Sequence, residues 1–217
     1  MEIATNNRLK GAIGRWKLAI WLPVILFCYY YELMPIFLFV VIVAGMYEIR
    51  IRSVFVTNWS VIAYFHLAGL CWLFIMPEKE IWFIVMVVII NDAFAYYGGS
   101  FLNFARFMRM KISTVSPNKT LGGLIYGVFG GILMAILLFK FYDYPPRYIW
   151  FAFLLCLAGD VGDLLESGFK RFCGIKDSGD GLFTKRLLCG HGGVYDRFDA
   201  LAFVCHYWMI ITLLKFN

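Results

Sequence analysis

Read as alternating apolar and polar positions, the chain is a series of long apolar blocks separated by short charged turns. The blocks fall at 16–31, 33–49, 59–76, 81–97, 121–141, 147–166 and 198–215, each close to the length a helix needs to cross roughly 30 Å of hydrocarbon. Only a segment that satisfies its own backbone hydrogen bonds can do so without an edge. The pattern therefore predicts an all-α, polytopic membrane bundle of seven spans. The first two form a tight hairpin with Glu32 at its tip and Pro35 near the start of the second helix, where a proline is tolerated. Between the fourth and fifth spans, Phe101, Phe104, Phe107 and Met108 recur at helical spacing among Arg106, Arg109 and Lys111, which predicts an additional interfacial helix within 100–119. The basic stretch before the first block has the look of a signal peptide. That block ends in Tyr29-Tyr30-Tyr31-Glu32 without a small-residue cleavage site, so the expectation is an anchor that stays.

Composition agrees, at 62% hydrophobic and only 16% charged, and excludes a water-soluble domain. The formal charge of +6 is distributed as an orientation signal and an attraction to anionic lipid, not as a nucleic-acid surface. With a cytoplasmic N-terminus, all of the Lys and Arg except Lys79, Lys140, Arg147 and Lys215 fall inside. The same topology brings Glu48, Asp92, Asp160, Asp163 and Asp199 to the cytoplasmic ends of their spans. Each such acid costs roughly 3 kcal/mol to insert, so a shared cation or polar cavity is expected. The six cysteines are scattered and imply no disulfide framework. Cys173, Cys189 and His191 fit no standard zinc spacing.

Candidate chemistry concentrates in 160–199, which carries seven carboxylates and six Lys or Arg. Asp160, Asp163 and Ser167 share one helical face, and Glu166 turns partly away. Beyond them come Lys170, Arg171, Lys176 and Asp177, then His191-Gly192-Gly193, then Asp196-Arg197-Phe198-Asp199. Paired glycines let a backbone approach an oxyanion closely, and Asp196 and Asp199, three apart at a helix start, are able to face one cation. Carboxylates that hold a cation beside Lys and Arg that hold phosphate oxygens suit a metal-bound phosphate. Upstream, Asp92 on the fourth span reads either as a helix-packing group or as a ligand, and Lys119 lies in the Ser116-Pro117-Asn118-Lys119-Thr120 turn. Gly123, Gly127 and Gly131 form a small-residue stripe for helix packing, and His66 reads as a bundle histidine with a partner.

The stretch from Ser167 through Lys170-Arg171 to Lys176-Asp177, followed by His191-Gly192-Gly193-Val194-Tyr195-Asp196-Arg197-Phe198-Asp199, resembles the signature of the phosphatidate cytidylyltransferase family, the CDP-diacylglycerol synthases. The Asp92-to-Gly99 segment and the Ser-Pro-Asn-Lys-Thr turn are similar to that family's upstream elements, so the likeness covers 90–199. Two departures stand out: a longer link, Asp180 through Leu188, with Cys189 where the family has proline, and Gly122 where it has a glutamate. The resemblance implies N-terminal transmembrane spans over 1–89 and a catalytic transmembrane region over 90–217 with a cytoplasmic signature loop. It further implies CTP and phosphatidic acid as substrates, Mg²⁺ with a second cation left open, and a homodimer. The expected setting is a bacterial inner membrane, with the site facing the cytoplasm and no nucleic-acid partner. By the same resemblance, Asp163, Asp196 and Asp199 are the expected metal ligands. Lys170, Arg171, Lys176 and Arg197 are assigned to phosphate, Asp177 with Ser167 to shaping the site, and Asp92, Lys119, His191, Gly192 and Gly193 to substrate.

Two other classes are open to such a sequence. Intramembrane carboxylates at Asp92, Asp160 and Asp163 suit a secondary cation transporter, which would need polar groups through the outer half of the bundle as well. A different lipid-phosphate transferase, such as a CDP-alcohol phosphotransferase, would show acids at fixed helical spacing around DG and AR pairs, a pattern this chain lacks.

Overall fold

The structure is a computed structural model that describes residues 28, 32–53, 57–101, 107–114, 116, 119–174, 178–179 and 193–215. Among these residues six α-helices order it: α1 (Met34–Ser53), α2 (Thr57–Leu67), α3 (Glu78–Phe101), α4 (Leu121–Leu138), α5 (Tyr148–Phe172) and α6 (Tyr195–Lys215), with a 3₁₀ stretch at Ala68–Phe74. Among the described residues there is no strand, only an isolated bridge between Lys111 and Thr120.

Among the described residues, five helices are long and apolar enough to cross a membrane: α1, α3, α4, α5 and α6. They correspond to five of the seven expected spans. The expected span at 16–31 lies outside the described residues. The one at 59–76 is helical but divided, α2 giving way to the tighter 3₁₀ stretch at Ala68, so five of the seven expected spans are full-length helices among the described residues. The interfacial helix expected within 100–119 is likewise replaced, over 107–114, by one 3₁₀ turn at Phe107–Arg109 and a bridged loop. Its backbone groups pair across the loop instead of along a helix, Ile112 N–H donating to the Lys119 carbonyl and Leu121 N–H to that of Met110. Outward faces carry large apolar side chains, among them Phe39, Phe65, Phe129, Phe141 and Trp150, as surfaces bathed in lipid do.

Two compact units divide the chain. The first holds residues 1–67 and 173–198. In it Gly45 of α1 faces the Leu67 side chain, and Ile49 and Ala63 are fully buried. His66 has the partner expected of a bundle histidine, its Nδ1 lying 3.0 Å from the Tyr195 hydroxyl.

The second unit holds residues 68–172 and 199–217. The glycine stripe of α4 packs on α3. A Cβ on Gly123 would sit 2.9 Å from the Ala95 carbonyl, and one on Gly127 2.9 Å from Asn91 Oδ1, so the helix backbones nearly touch. At the Tyr148 end of α5, Phe83, Tyr144, Tyr148, Phe151 and Trp208 form a continuous aromatic cluster. Trp208, with no exposed surface, donates its indole N–H to Glu80 at 2.8 Å. Tyr144 donates to the Lys79 carbonyl at 2.5 Å. Burial, with neighbouring tyrosines and Glu80, pushes the Tyr144 hydroxyl up to about 12, so it keeps the proton it donates. The opposite end of this unit is polar.

Candidate active site

That polar end is assembled from the start of α4, the second half of α5 and the start of α6. Thr120 caps α4 in extended conformation, its Oγ1 accepting from the Gly123 amide at 3.1 Å. The cap fixes the neighbouring Lys119, whose ammonium meets Asp163 Oδ2 at 2.6 Å and lies 3.4 Å from the Asp160 carbonyl oxygen. One helical turn along α5 from Asp163, Glu166 pairs with Lys170 at 2.7 Å, the i,i+4 spacing at which helical side chains meet. Ser167 Oγ donates a long hydrogen bond, 3.4 Å, to Asp163 Oδ1.

Asp163, Glu166 and Asp199 each bring a carboxylate oxygen to within 4.8 Å of the others. Asp163 is part-exposed, whereas Glu166, Lys170 and Asp199 are buried, so repulsion between Glu166 and Asp199 is screened little by water. Lys119 and Lys170 offset part of it. The donor set, three carboxylates, fits a hard cation: oxygens about an octahedral Mg²⁺ lie about 3 Å apart in cis and about 4.2 Å in trans, so the side chains would draw together on holding one. Asp160 Oδ2 and both side-chain polar atoms of Asn91 are buried without a hydrogen bond. Asp92, on the surface of α3, has Asp163, Asp160 and Lys119 as its charged neighbours.

Of the residues expected from the sequence, the second unit thus brings together Asp163, Ser167, Lys170, Asp199 and Lys119, with Asp92 nearby in electrostatic terms. Arg171 is exposed near the end of α5. Asp196, Arg197 and Gly193 belong to the first unit, where Asp196 Oδ2 accepts from the amides of Ser178 and Gly193, both at 2.9 Å. Lys176, Asp177, His191 and Gly192 lie outside the described residues. Glu166 was read from sequence as turned partly away, yet its carboxylate completes the acidic trio. The signal was present in the Glu166–Lys170 spacing, since a lysine one turn on draws the acid toward the same side. Asn91 carried no such signal.

A model of the cytidylyltransferase family matches residues 3–214. The phosphatidate cytidylyltransferase of Staphylococcus aureus (strain COL) is 37% identical over 123 residues, 55% of this chain and 43% of that protein. The protein of the same name from Staphylococcus haemolyticus (strain JCSC1435) is 39% identical over 123 residues, with the same shares. That of Staphylococcus epidermidis (strain ATCC 12228 / FDA PCI 1200) is 38% identical over 130 residues, 58% of this chain and 46% of that protein. The aligned part is thus less than half the length of the curated relatives it matches.

Proposed function

Because the chain belongs to the cytidylyltransferase family, we propose that it transfers CMP from CTP to phosphatidic acid, giving CDP-diacylglycerol and pyrophosphate. A phosphate oxygen of the lipid attacks the α-phosphorus of CTP. One phosphorus–oxygen bond forms there, and the bond to the bridging oxygen breaks, pyrophosphate leaving with its electron pair. A phosphomonoester is largely dianionic near neutral pH, so the attack needs no strong base. Positioning and charge compensation dominate such a reaction.

The observation that carries this reading is the acidic trio Asp163, Glu166 and Asp199, the last two buried, with its two lysines, beside and within the segment that resembles the family's signature. Those three carboxylates would hold Mg²⁺, which when bound offsets the charge of the triphosphate. Asp196, with Oδ2 already accepting from two amides, is read as shaping the signature turn. Lys170 and Lys119 orient the carboxylates they pair with, and Ser167 steadies Asp163. Arg171, Lys176 and Arg197 are assigned to phosphate oxygens, the His191-Gly192-Gly193 backbone to close approach, Asp177 to the shape of the site and Asp92 to the substrate side. A homodimer in the bacterial inner membrane, with CTP entering from the cytoplasm, completes the proposal.

The cation-transporter alternative is disfavoured by the far end of the second unit, where Phe83, Tyr144, Tyr148 and Trp208 pack ring on ring in place of the polar path an ion would need. The deciding experiment incubates purified protein in detergent with labelled CTP, dioleoyl phosphatidic acid and Mg²⁺. Label should appear in CDP-diacylglycerol with equimolar pyrophosphate. No lipid-linked label across a full Mg²⁺ titration would sink the reading.

A further inference from the structure

Glu48, near the end of α1, has no exposed surface. Burying a carboxylate costs several kcal/mol unless donors replace its water. Among the described residues, its donors come from the distant signature segment. Its Oε1 accepts from the Val194 amide at 2.8 Å, and its Oε2 accepts from Ser178 Oγ at 2.7 Å and from the Tyr195 amide at 3.1 Å. Val194 and Tyr195 stand at the start of α6, where backbone N–H groups have no helical acceptor. A carboxylate there also meets the positive end of the helix dipole. Glu48 is therefore an N-terminal cap for α6 supplied from another helix.

A second, independent observation concerns Gly193. A Cβ at this position would collide with Glu48 Oε2, with Ser178 Oγ and with the Gly179 nitrogen. The last glycine of the His191-Gly192-Gly193 run is thus required by the carboxylate against which the backbone is laid. On the other side of the turn, Asp196 Oδ2 joins the amides of Ser178 and Gly193. Two acids thus tie Ser178 to the Gly193–Tyr195 turn, and His66, bonded to the Tyr195 hydroxyl, braces that turn as well.

We propose that Glu48 is a positioning residue for the reaction: with Ser178 it templates the turn that opens α6, the helix that carries Asp199 one turn later. This rests on the cytidylyl-transfer reading for its activity arm and is independent of it for its structural arm. Glutamine keeps the size but places an NH₂ where donors already point, so either Val194 or Tyr195 loses its acceptor.

The test compares Glu48→Gln and Ser178→Ala with the parent in detergent, by amide hydrogen exchange and by kinetics. In Glu48→Gln, exchange over Gly193–Phe198 should quicken at least about tenfold while α4 is unchanged. Its kcat should fall about 10²-fold, further than KM for CTP rises, because a mispositioned group costs more in the transition state than in the bound substrate. Ser178→Ala, which removes one donor and leaves both amides on Glu48, should show the same pattern at about tenfold or less. Faster local exchange with unchanged kcat, or lower kcat with unchanged local exchange, would overturn the proposal. If Glu48→Gln exchanges everywhere, Ser178→Ala decides by the same two readings. A parent that makes no CDP-diacylglycerol refutes the enzymatic reading, and the exchange arm then still reports whether Glu48 holds the turn.

Discussion

A carboxylate that holds a cation and one that merely caps a helix differ in what they lose on becoming an amide. Asp199 accepts from the Ala200 amide at 2.7 Å, and an asparagine would retain that bond. Asp199→Asn should therefore leave thermal unfolding close to parental, a lost cap costing about 1 kcal/mol, yet lower turnover by two to three orders of magnitude, the usual effect of removing one placed electrostatic group. Glu166→Gln, a position the sequence alone did not nominate, should fall as far. In both, higher Mg²⁺ restores part of the loss. Asp143→Asn, exposed in the turn before α5, should stay within twofold. A Glu166→Gln protein within tenfold of the parent at unchanged Mg²⁺ dependence would remove that residue from the trio. Type and spacing made Asp163 and Asp199 legible because an acid inside an apolar helix is itself a signal. Glu48 was visible as a buried acid for the same reason, but what it binds was not, because its partners lie 130 or more residues away.

At the scale of elements, the α3–α4 contact follows from Gly123 and Gly127 of the stripe, which let two backbones approach where no hydrophobic drive acts between helices in lipid, while Gly131 makes room for Cys156 of α5. A valine at Gly127 would meet Asn91 Oδ1 at 2.9 Å and the Asn91 carbonyl at 3.0 Å. Overpacking of that kind costs about 1–3 kcal/mol. Gly127→Val should lower the unfolding temperature in detergent by several degrees, whereas Phe129→Ala on the exposed face of the same helix should leave it near the parental value. Equal unfolding temperatures for Gly127→Val and the parent would mean that the helices are not packed this closely. Helix positions were legible to within a few residues because the apolar blocks are long. The spacing of Phe101, Phe104, Phe107 and Met108 gave no α-helix over 107–114 because apolar spacing says nothing about backbone pairing across the Lys111–Thr120 bridge, which competes with helix. The break at Ala68 has no comparable sequence mark.

For the whole molecule, the charge map and α4 make one joint prediction about sidedness. Thr114 and Asp143 flank α4, a span of 18 residues, so they should face opposite compartments. In a background without native cysteines, a cysteine at 114 should react with an impermeant reagent only from the cytoplasm, and one at 143 only from outside. Labelling of 114 from the exterior would invert the proposed orientation. The lysine pairs of the polar end bear on something earlier in the protein's life. A chain leaving the translocon must bring Asp163 and Glu166 into the bilayer before any nucleotide or metal is at hand. Lys119 and Lys170, at 2.6 and 2.7 Å from those acids, act as built-in counter-ions. If these acids hold a cation as proposed, its uptake would exchange one positive partner for another, after α5 has already been inserted with its charges paired.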